Sequence, residues 1–225
     1  MVSFDFGFER PAGIALAELG QFSSATIHEA IGQRAGSIKP IDAAMRLYGP
    51  ALTVFCPRGD NLMLHVAIAE AQPGDILVVD HEGSMDDGPF GDVLATACLA
   101  KGIAGLVIDG CVRDLSAIKA LGFPVFARGA SITGTEKARL GTIGQVLRFG
   151  TVLIAAGDAI LGDEDGLVVV PRREIASAAA ACAAREAKEA DLRQALREGA
   201  TTLDLLNLRA ELQALIDNDR VNSSN

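Results

Sequence analysis

Short apolar runs alternate with amphipathic stretches along most of this chain, and this alternation is the feature that most limits how it can fold. The apolar runs at residues 51–55, 76–79 and 105–108 are typical of buried strands. The stretches after them, such as residues 92–101, are typical of helices. Strands that alternate with helices predict an α/β domain rather than an all-helical or all-strand one.

The same patterns predict the remaining elements. Further strands are predicted at residues 124–127, 146–155 and 167–170, and Gly157-Asp158 and residues 162–166 are predicted as turns. A helix at residues 26–31 is predicted to be capped by Ser23 or Ser24 and to end with the help of Gly32 and Gly36. Two more helices are predicted from apolar residues at helical spacing, which are Leu62, Val66 and Ala69, and Leu115, Ile118 and Leu121.

The C-terminal part of the chain is predicted to be a helical extension. Residues 175–198 are rich in helix-forming residues, and an apolar stripe continues after them at Leu203, Leu206, Leu208, Leu212 and Leu215. The sequence therefore predicts an α/β domain over residues 1–171 and an extension over residues 172–225. On the residues alone, the stripe can pack either on its own domain or on a neighbouring subunit.

Composition excludes several classes of protein. A chain of 225 residues buries roughly 70% of the surface that its unfolded form exposes, so it can build a core without disulfides or structural metal. Its net charge of −9 argues against nucleic acid and anionic membranes as partners. No apolar run is long enough to span a bilayer, and residues 1–10 do not resemble a secretory signal. The four cysteines are scattered, which is typical of reduced thiols in the core of a cytoplasmic protein.

The residue pair most informative about chemistry is Arg113-Asp114, which follows a predicted strand and precedes a predicted helix. Side chains at the carboxyl ends of strands line the ligand crevice of α/β sheets. The guanidinium of Arg113 suits a carboxylate or an enolate, and the carboxylates of Asp114 and Asp92 suit a divalent cation held largely through water. Either aspartate could instead be an ordinary helix N-cap.

Other polar residues are candidates for the same crevice. The first N–H groups of the helix after Gly91, at Val93 and Leu94, could bind a substrate carboxylate. Asn61 and His65 lie four residues apart on a predicted helix and share a face. Alternatively, His65 is a core or boundary histidine, and Lys137 is a solvated charge in the long Gly/Thr-rich loop at residues 128–144. His81 and Glu82 form only a weak zinc signal.

No nucleophilic serine elbow, P-loop or dinucleotide-binding motif is present, so metal-assisted chemistry is the leading interpretation. Asp92 is separated by twenty residues from Arg113-Asp114, within Gly91-Asp92-Val93-Leu94 and Asp109-Gly110-Cys111-Val112-Arg113-Asp114. This arrangement resembles the class II 4-hydroxy-4-methyl-2-oxoglutarate/4-carboxy-4-hydroxy-2-oxoadipate aldolases, in the superfamily of the regulator of ribonuclease activity A. The similarity runs from about residue 24 to residue 172 and includes Gly59-Asp60-Asn61 and Pro73-Gly74-Asp75.

The resemblance implies a layered α-β-β-α sandwich of the swivelling β/β/α type, in a homotrimer or homohexamer. It implies that Asp114 binds Mg²⁺ or Mn²⁺, with Asp92 acting through water, and that Arg113 contacts the ketone of the substrate. Backbone groups of Gly91, Val93 and Leu94 would hold the substrate carboxylate, and Asn61, His65 and Lys137 would line the pocket. Glu186 or Glu189 of the extension would enter the site of a neighbouring subunit.

The expected function is therefore metal-dependent retro-aldol cleavage of a 4-hydroxy-2-oxo acid to pyruvate, with oxaloacetate decarboxylation as a side activity. Two alternatives remain open. One is a non-catalytic binding protein like the ribonuclease regulator, and the other is an enzyme of the same fold that acts on another 2-oxo acid. The sequence departs from the family at residues 142–146 and at Ala156, which lie outside the proposed metal motif.

Overall fold

A computed structural model describes residues 7–34 and 38–222 of the chain. The chain divides into two compact units, the first ending at Cys182 and the second beginning at Ala183. Gly36, predicted to help end a helix, lies outside the described residues. Within the described part of the chain, no helix has both the length and the apolar character needed to cross a membrane.

The helices and strands alternate along the first unit as the sequence predicts. The helices of the chain are α1 (Gly13–Leu19), α2 (Ser24–Ala30), α3 (Leu62–Glu70), α4 (Asp92–Lys101), α5 (Leu115–Leu121), α6 (Ile175–Arg197), α7 (Thr202–Leu205) and α8 (Leu208–Asn222). The strands are β1 (Gln33–Arg34), β2 (Lys39–Pro40), β3 (Leu47–Phe55), β4 (Ile76–Ser84), β5 (Gly105–Val112), β6 (Val125–Ala127), β7 (Gly129–Ala130), β8 (Thr142–Ile143), β9 (Leu147–Phe149), β10 (Val152–Ile154), β11 (Ala159–Asp163) and β12 (Gly166–Val170).

The main sheet has the order β1-β12-β11-β3-β4-β5-β6-β2. Strands β3, β4, β5 and β6 are parallel to one another, and α3, α4 and α5 connect them in turn. Strand β11 pairs antiparallel with both β3 and β12. The sheet curls until its β2 edge approaches β12, where Lys39 Nζ donates a hydrogen bond to the carbonyl oxygen of Asp165 at 2.6 Å. The sheet is therefore nearly closed.

Two hydrophobic cores lie on opposite sides of β11 and β12. Ile160, Leu167 and Val169 face a core that they share with β3 to β6 and with helices α3 to α5. The alternate residues of the same two strands face a second core with α1, α2 and the first turns of α6, and these residues are Ala159, Leu161, Val168 and Val170. Because neighbouring strand residues point to opposite faces, one pair of strands serves both cores. This confirms the α/β class with helices on both sides of the strand layers.

The structure corrects several sequence predictions. No strand is predicted at Ala159–Asp163, and residues 162 and 163 are predicted in a turn, but this segment forms β11. The strand predicted at residues 146–155 is a hairpin of β9 and β10. On α3, the predicted face at Leu62, Val66 and Ala69 is wrong, since the buried residues are Met63, Leu64, Ala67 and Ile68. Seven of the nine α3 residues are apolar, so spacing alone could not select the buried face.

Helix α6 begins in the first unit, where Ile175, Ala178, Ala179 and Cys182 are buried. In the second unit the predicted leucine stripe is divided between α7 and α8, because Thr201 caps a new helix by accepting a hydrogen bond from the Asp204 N–H. The leucines at positions 206, 208, 212 and 215 are exposed. Packing of this extension on a neighbouring subunit stays a prediction.

Candidate active site

The predicted site residues meet at the carboxyl ends of β4 and β5. Arg113 and Asp114 follow β5 directly, and α3 and α4 begin at the same edge of the sheet. A pocket of about 180 Å³ is lined by Asn61, His65, Pro89, Gly91, Asp92, Val93, Leu94, Arg113 and Lys137. Arg113 also lines a second cavity of about 410 Å³, together with Asp114 and Ser131. The structure thus brings together the residues proposed for this site from the first unit.

Asp114 has a backbone conformation that is uncommon for a side-chain-bearing residue. Its φ of +57° lies in the left-handed region, which aspartate tolerates better than most residues. It precedes α5 but its side chain makes no capping hydrogen bond there. Instead, Asp114 Oδ2 lies 3.5 Å from Arg113 Nε and 3.4 Å from the backbone nitrogen of Asp92. The carboxylate is therefore directed to the site rather than to the start of its own helix.

Gly91 leaves the space that this carboxylate occupies. A Cβ atom at position 91 would collide with Asp114 Oδ2 and would lie 3.1 Å from the side chain of Arg113. The preceding residue, Phe90, is buried, stacks on Phe123 with ring centroids 5.9 Å apart, and accepts the Arg113 N–H at 2.9 Å. These contacts place the start of α4 tightly against the Arg113-Asp114 pair.

One of the backbone N–H donors at the start of α4 already has an acceptor within the chain. Asp92 Oδ1 accepts the N–H of Val93 at 2.8 Å, so one of the two N–H groups predicted to bind a substrate carboxylate already has an acceptor. The side chain of Val93 is largely exposed and that of Leu94 is buried. A substrate carboxylate that binds at Val93 would have to compete with the carboxylate of Asp92.

Asn61 supplies an oriented amide to the pocket wall. Its Nδ2 donates to the carbonyl oxygen of Pro89 at 2.7 Å, which connects the start of α3 to the segment before α4. Its Oδ1 is buried and has no hydrogen-bond partner among the described residues. A buried acceptor without a donor is costly, so a water or a ligand donor at this oxygen would stabilise the site.

His65 and Lys137 line the same pocket from opposite sides. Burial lowers the pKa of His65 below its ordinary value, and the nearby charge of Lys137 lowers it further. His65 is therefore neutral at pH 7 and can accept a proton. Lys137 lies on the exposed loop between β7 and β8, opposite α3.

The structure argues against a zinc site at His81 and Glu82. His81 is fully buried, its Nε2 lies 2.7 Å from Asp87 Oδ2, and its Nδ1 lies 3.1 Å from the carbonyl oxygen of Cys56. Glu82 is exposed. Within residues 7–34 and 38–222, no group of three or more His, Cys, Asp or Glu side chains is placed to hold a metal ion.

The donor atoms around Arg113 nevertheless fit one kind of metal. Asp92 and Asp114 supply carboxylate oxygens at the pocket edge and no sulfur ligand lies in either cavity wall. Mg²⁺ and Mn²⁺ prefer oxygen ligands, and Mg²⁺ commonly keeps several waters while binding one or two carboxylates. Two carboxylates therefore suffice for a cation of this class, and they would not suffice for a structural zinc site.

Sequence reasoning did not assign a role to Asp60. Asp60 is fully buried, and its carboxylate accepts N–H groups from Leu62, Ala138 and Arg139. The sequence shows only an acidic residue in a turn before a helix, which is typical of an ordinary cap. The hydrogen bonds from residues 138 and 139 join positions far apart in the chain, so no local sequence pattern could predict them.

Comparisons with known proteins agree on the family. The RraA-like family model, described as Aldolase/RraA, matches residues 24–169. A protein of Halalkalibacterium halodurans named "Putative 4-hydroxy-4-methyl-2-oxoglutarate aldolase" is 37% identical over 180 residues, which cover 80% of this chain and 83% of that protein.

Two solved structures share the fold. RraAS2 of Streptomyces coelicolor, described as an unusual member of the RNase ES inhibitor RraA protein family, superposes with a TM-score of 0.75 at 31% identity, covering 83% of this chain and 98% of that one. The RNA-processing inhibitor RraA from Thermus thermophilis has a TM-score of 0.60 at 27% identity, covering 65% of this chain and 90% of that one. Relatives of this chain thus include proteins named as aldolases and proteins named as inhibitors.

Proposed function

This chain belongs to the RraA-like family, and we propose that it is a divalent-metal-dependent aldolase that cleaves 4-hydroxy-2-oxo acids and releases pyruvate. The observation that carries the proposal is the meeting of Arg113, Asp114 and the start of α4 where two neighbouring cavities share Arg113 in their walls. An arginine beside two carboxylates suits a substrate that has a ketone next to a carboxylate. The similarity to a protein named as an aldolase supports the same reaction class.

In the proposed reaction the C3–C4 bond of the substrate breaks, and its electron pair moves to C3 to form the enolate of pyruvate. The guanidinium of Arg113 donates hydrogen bonds to the oxygen on which negative charge develops, as an oxyanion hole does. The proton of the 4-hydroxyl group leaves at the same time, and either a water or the neutral His65 can accept it. The electron pair of the broken O–H bond forms the C4 carbonyl of the second product, which leaves as a 2-oxo acid, and protonation of the enolate at C3 gives pyruvate.

Asp114 and Asp92 would hold Mg²⁺ or Mn²⁺, Asp114 directly or through water and Asp92 through water. When bound, the cation would act as a Lewis acid on the 2-keto group. Decarboxylation of oxaloacetate passes through the same enolate, so we propose it as a side activity. Both 4-carboxy-4-hydroxy-2-oxoadipate and 4-hydroxy-4-methyl-2-oxoglutarate contain the required 4-hydroxy-2-oxo acid group.

We further propose that the protein is a cytoplasmic homotrimer or homohexamer in which the extension supplies a carboxylate to a neighbouring subunit. Of the two candidates, Glu189 forms two ion pairs along α6, with Arg185 Nε at 3.0 Å and with Arg193 Nη1 at 3.1 Å. Glu186 is exposed on the same helix. Glu186 is therefore the better candidate, because using Glu189 would first require two ion pairs to break.

A second candidate function is inhibition of a ribonuclease by protein binding. The similarity to RraA proteins of known structure favours it. A pure binding protein would have no need of the strained Asp114 or of the close fit between Gly91 and that carboxylate. Aldolase activity is therefore the first function to test.

The test is an assay of pyruvate release coupled to lactate dehydrogenase, with 4-carboxy-4-hydroxy-2-oxoadipate and with oxaloacetate as substrates. The wild-type chain is assayed with Mg²⁺, with EDTA, and with excess Mg²⁺ added back after EDTA. We expect pyruvate release that EDTA removes and Mg²⁺ restores. If neither compound yields pyruvate above the enzyme-free rate, the aldolase proposal fails and protein binding becomes the leading function.

A further inference from the structure

The long loop between β7 and β8 reaches the pocket at Lys137, although its residues 136–140 are all exposed. Burial of apolar side chains therefore does not hold this part of the loop in place. The loop is instead hydrogen-bonded to the turn before α3. Glu136 N donates to the carbonyl oxygen of Gly59 at 2.8 Å, and Asn61 N donates to the carbonyl oxygen of Glu136 at 3.0 Å.

The carboxylate of Asp60 completes this connection. Its Oδ2 accepts the N–H groups of Ala138 at 2.6 Å and of Arg139 at 3.0 Å. Lys137 is thus held on both sides along the chain. The backbone of Glu136 is hydrogen-bonded to the turn, and Ala138 and Arg139 both donate to Asp60 Oδ2. The only way for Lys137 to leave the pocket without breaking these bonds is by rotation of its own side chain.

The other oxygen of the Asp60 carboxylate is hydrogen-bonded to α3, on the opposite side of the pocket. Asp60 Oδ1 accepts the N–H of Leu62, the first residue of α3, at 2.9 Å. Helix α3 carries His65 one turn later, and Asn61 immediately precedes the helix. Asp60 therefore joins the helix that presents His65 to the loop that presents Lys137.

We propose that Asp60 is a positioning residue of the site, whose buried carboxylate holds Lys137 opposite His65. Only the part of this proposal that concerns turnover rests on the proposed function. The placement of Lys137 is a statement about structure and can be tested without substrate.

The charge of Asp60 is suited to this role. Burial raises the pKa of its carboxyl group, but hydrogen bonds from the N–H groups of Ala138, Leu62 and Arg139 outweigh that effect and lower the pKa below its ordinary value. The group is therefore an ionised acceptor at neutral pH. Replacement by asparagine keeps the shape and one acceptor oxygen, but places an NH₂ group where two N–H donors now converge.

His65 reports on the position of Lys137. Because the charge of Lys137 contributes to the lowered pKa of His65, moving Lys137 away should raise that pKa. The chain has only three histidines, so their ring resonances can be followed by NMR during a pH titration and assigned with a His65→Gln variant. In Asp60→Asn we expect the pKa of His65 to rise, and in Lys137→Met we expect it to rise as well. In the double variant, Asp60→Asn should add nothing to the effect of Lys137→Met.

Asp158 provides a matched control. It is another buried carboxylate that accepts two backbone N–H groups, from Ala155 at 2.9 Å and from Arg172 at 3.0 Å, and it lies outside the pocket wall. Asp158→Asn should therefore leave the titration of His65 unchanged. A rise of the His65 pKa in this control would mean that any loss of a buried carboxylate loosens the pocket, and it would overturn the specific role of Asp60.

Turnover gives the second readout. We expect Asp60→Asn to lower kcat/KM for pyruvate release by about tenfold to a hundredfold, the range that small misplacements of site groups produce. In the Lys137→Met background the same substitution should lower kcat/KM no further. An equal loss in both backgrounds would contradict the proposal, because Asp60 would then act independently of Lys137. Absence of pyruvate release from the wild type would refute the proposed function and leave the His65 titration as the decisive test.

Hydrogen exchange on the wild-type chain tests the proposal even if Asp60→Asn does not fold. The amides of Ala138 and Arg139 belong to exposed residues, yet both donate to a buried oxygen. We expect them to exchange much more slowly than the amide of Gly134 in the same loop. Exchange of residues 138 and 139 at the rate of an unprotected loop would overturn the proposal, and so would an unchanged His65 titration in a folded Asp60→Asn variant.

Discussion

Arg10 and Arg113 line different cavities in the first unit, and their guanidinium groups are bonded very differently. Arg10 lines a groove of about 440 Å³ with Tyr48 and Gly74. Its guanidinium donates to both oxygens of Asp75, at 2.7 and 2.8 Å, and lies 4.3 Å from the ring centre of Phe8. In the smaller pocket, by contrast, Arg113 is nearly half exposed and its ion pair with Asp114 is long, at 3.5 Å.

If the chemistry takes place at Arg113, as we propose, then cavity size does not indicate the active site in this protein. The donors of Arg10 are directed to a carboxylate of its own chain, and the side chain of Asp75 is completely buried beneath them. Removing one partner of such a pair destabilises the fold, and the pair leaves few donors for a ligand. Arg113 retains its donors at the carboxyl end of β5, beside a strained aspartate, where a substrate could use them. We therefore expect substitutions at Arg113 to affect turnover and substitutions at Arg10 to affect stability.

The largest expected effect follows replacement of Arg113 by alanine. Loss of the group that stabilises the enolate oxygen should lower kcat for pyruvate release by about 10²-fold or more, the scale of removing one oxyanion donor. The free energy of unfolding should change by less than about 0.5 kcal/mol, because the ion pair with Asp114 is exposed and long. Coupled assays and urea denaturation measure the two quantities. Wild-type turnover in this variant would remove Arg113 from the reaction.

The converse prediction concerns Arg10. Arg10→Ala leaves the carboxylate of Asp75 buried with only the N–H donated by Gln72 at 2.9 Å. The free energy of unfolding should fall by about 2–3 kcal/mol, because an under-satisfied buried charge is costly. Turnover of the folded fraction should remain within about twofold of wild type, as is usual for sites that share no contacts.

Arg10→Ala can be checked with a double variant. Adding Asp75→Asn removes the buried charge and should recover part of the lost stability. A variant of Arg10 that lost turnover without losing stability would instead show that the larger groove takes part in function, and the comparison between the two cavities would break down.

Much of the fold could be predicted because its signals are local. The apolar runs of β3, β4 and β5 and the start of α4 at Asp92 stand out in the sequence, and the structure confirms them. Strand β11 could not be predicted, since Ala159–Asp163 is short and is bounded by turn-forming residues. It is a strand because β3 and β12 pair with it on both sides, and such nonlocal pairing leaves no local pattern.

The site shows the same division. Arg113, Asp114 and Gly91 could be proposed because strand ends and helix starts meet at one edge of an α/β sheet. Two features needed the structure, and both depend on contacts between distant segments. One is the left-handed backbone of Asp114, and the other is the connection of the Lys137 loop to Asp60. A third feature is local: Val93 N–H donates to Asp92, whereas the general rule for a helix N-terminus predicts a free donor there.

The third and smallest expected effect comes from adding one methyl group to the wall of each cavity. Gly91→Ala places a Cβ against Asp114 Oδ2 in the pocket, whereas Gly13→Ala, at the first residue of α1 in the wall of the groove, has no atom within 4 Å of the added Cβ. Gly91→Ala should lower kcat/KM by about tenfold or more, since displacement of one site group is enough for such a loss. Gly13→Ala should leave turnover unchanged and raise the free energy of unfolding by about 0.4–1 kcal/mol, because alanine restricts the unfolded chain and favours the helix. Equal turnover in both variants would mean that the position of the Asp114 carboxylate does not matter, and the functional reading of the smaller pocket would lose its geometric basis.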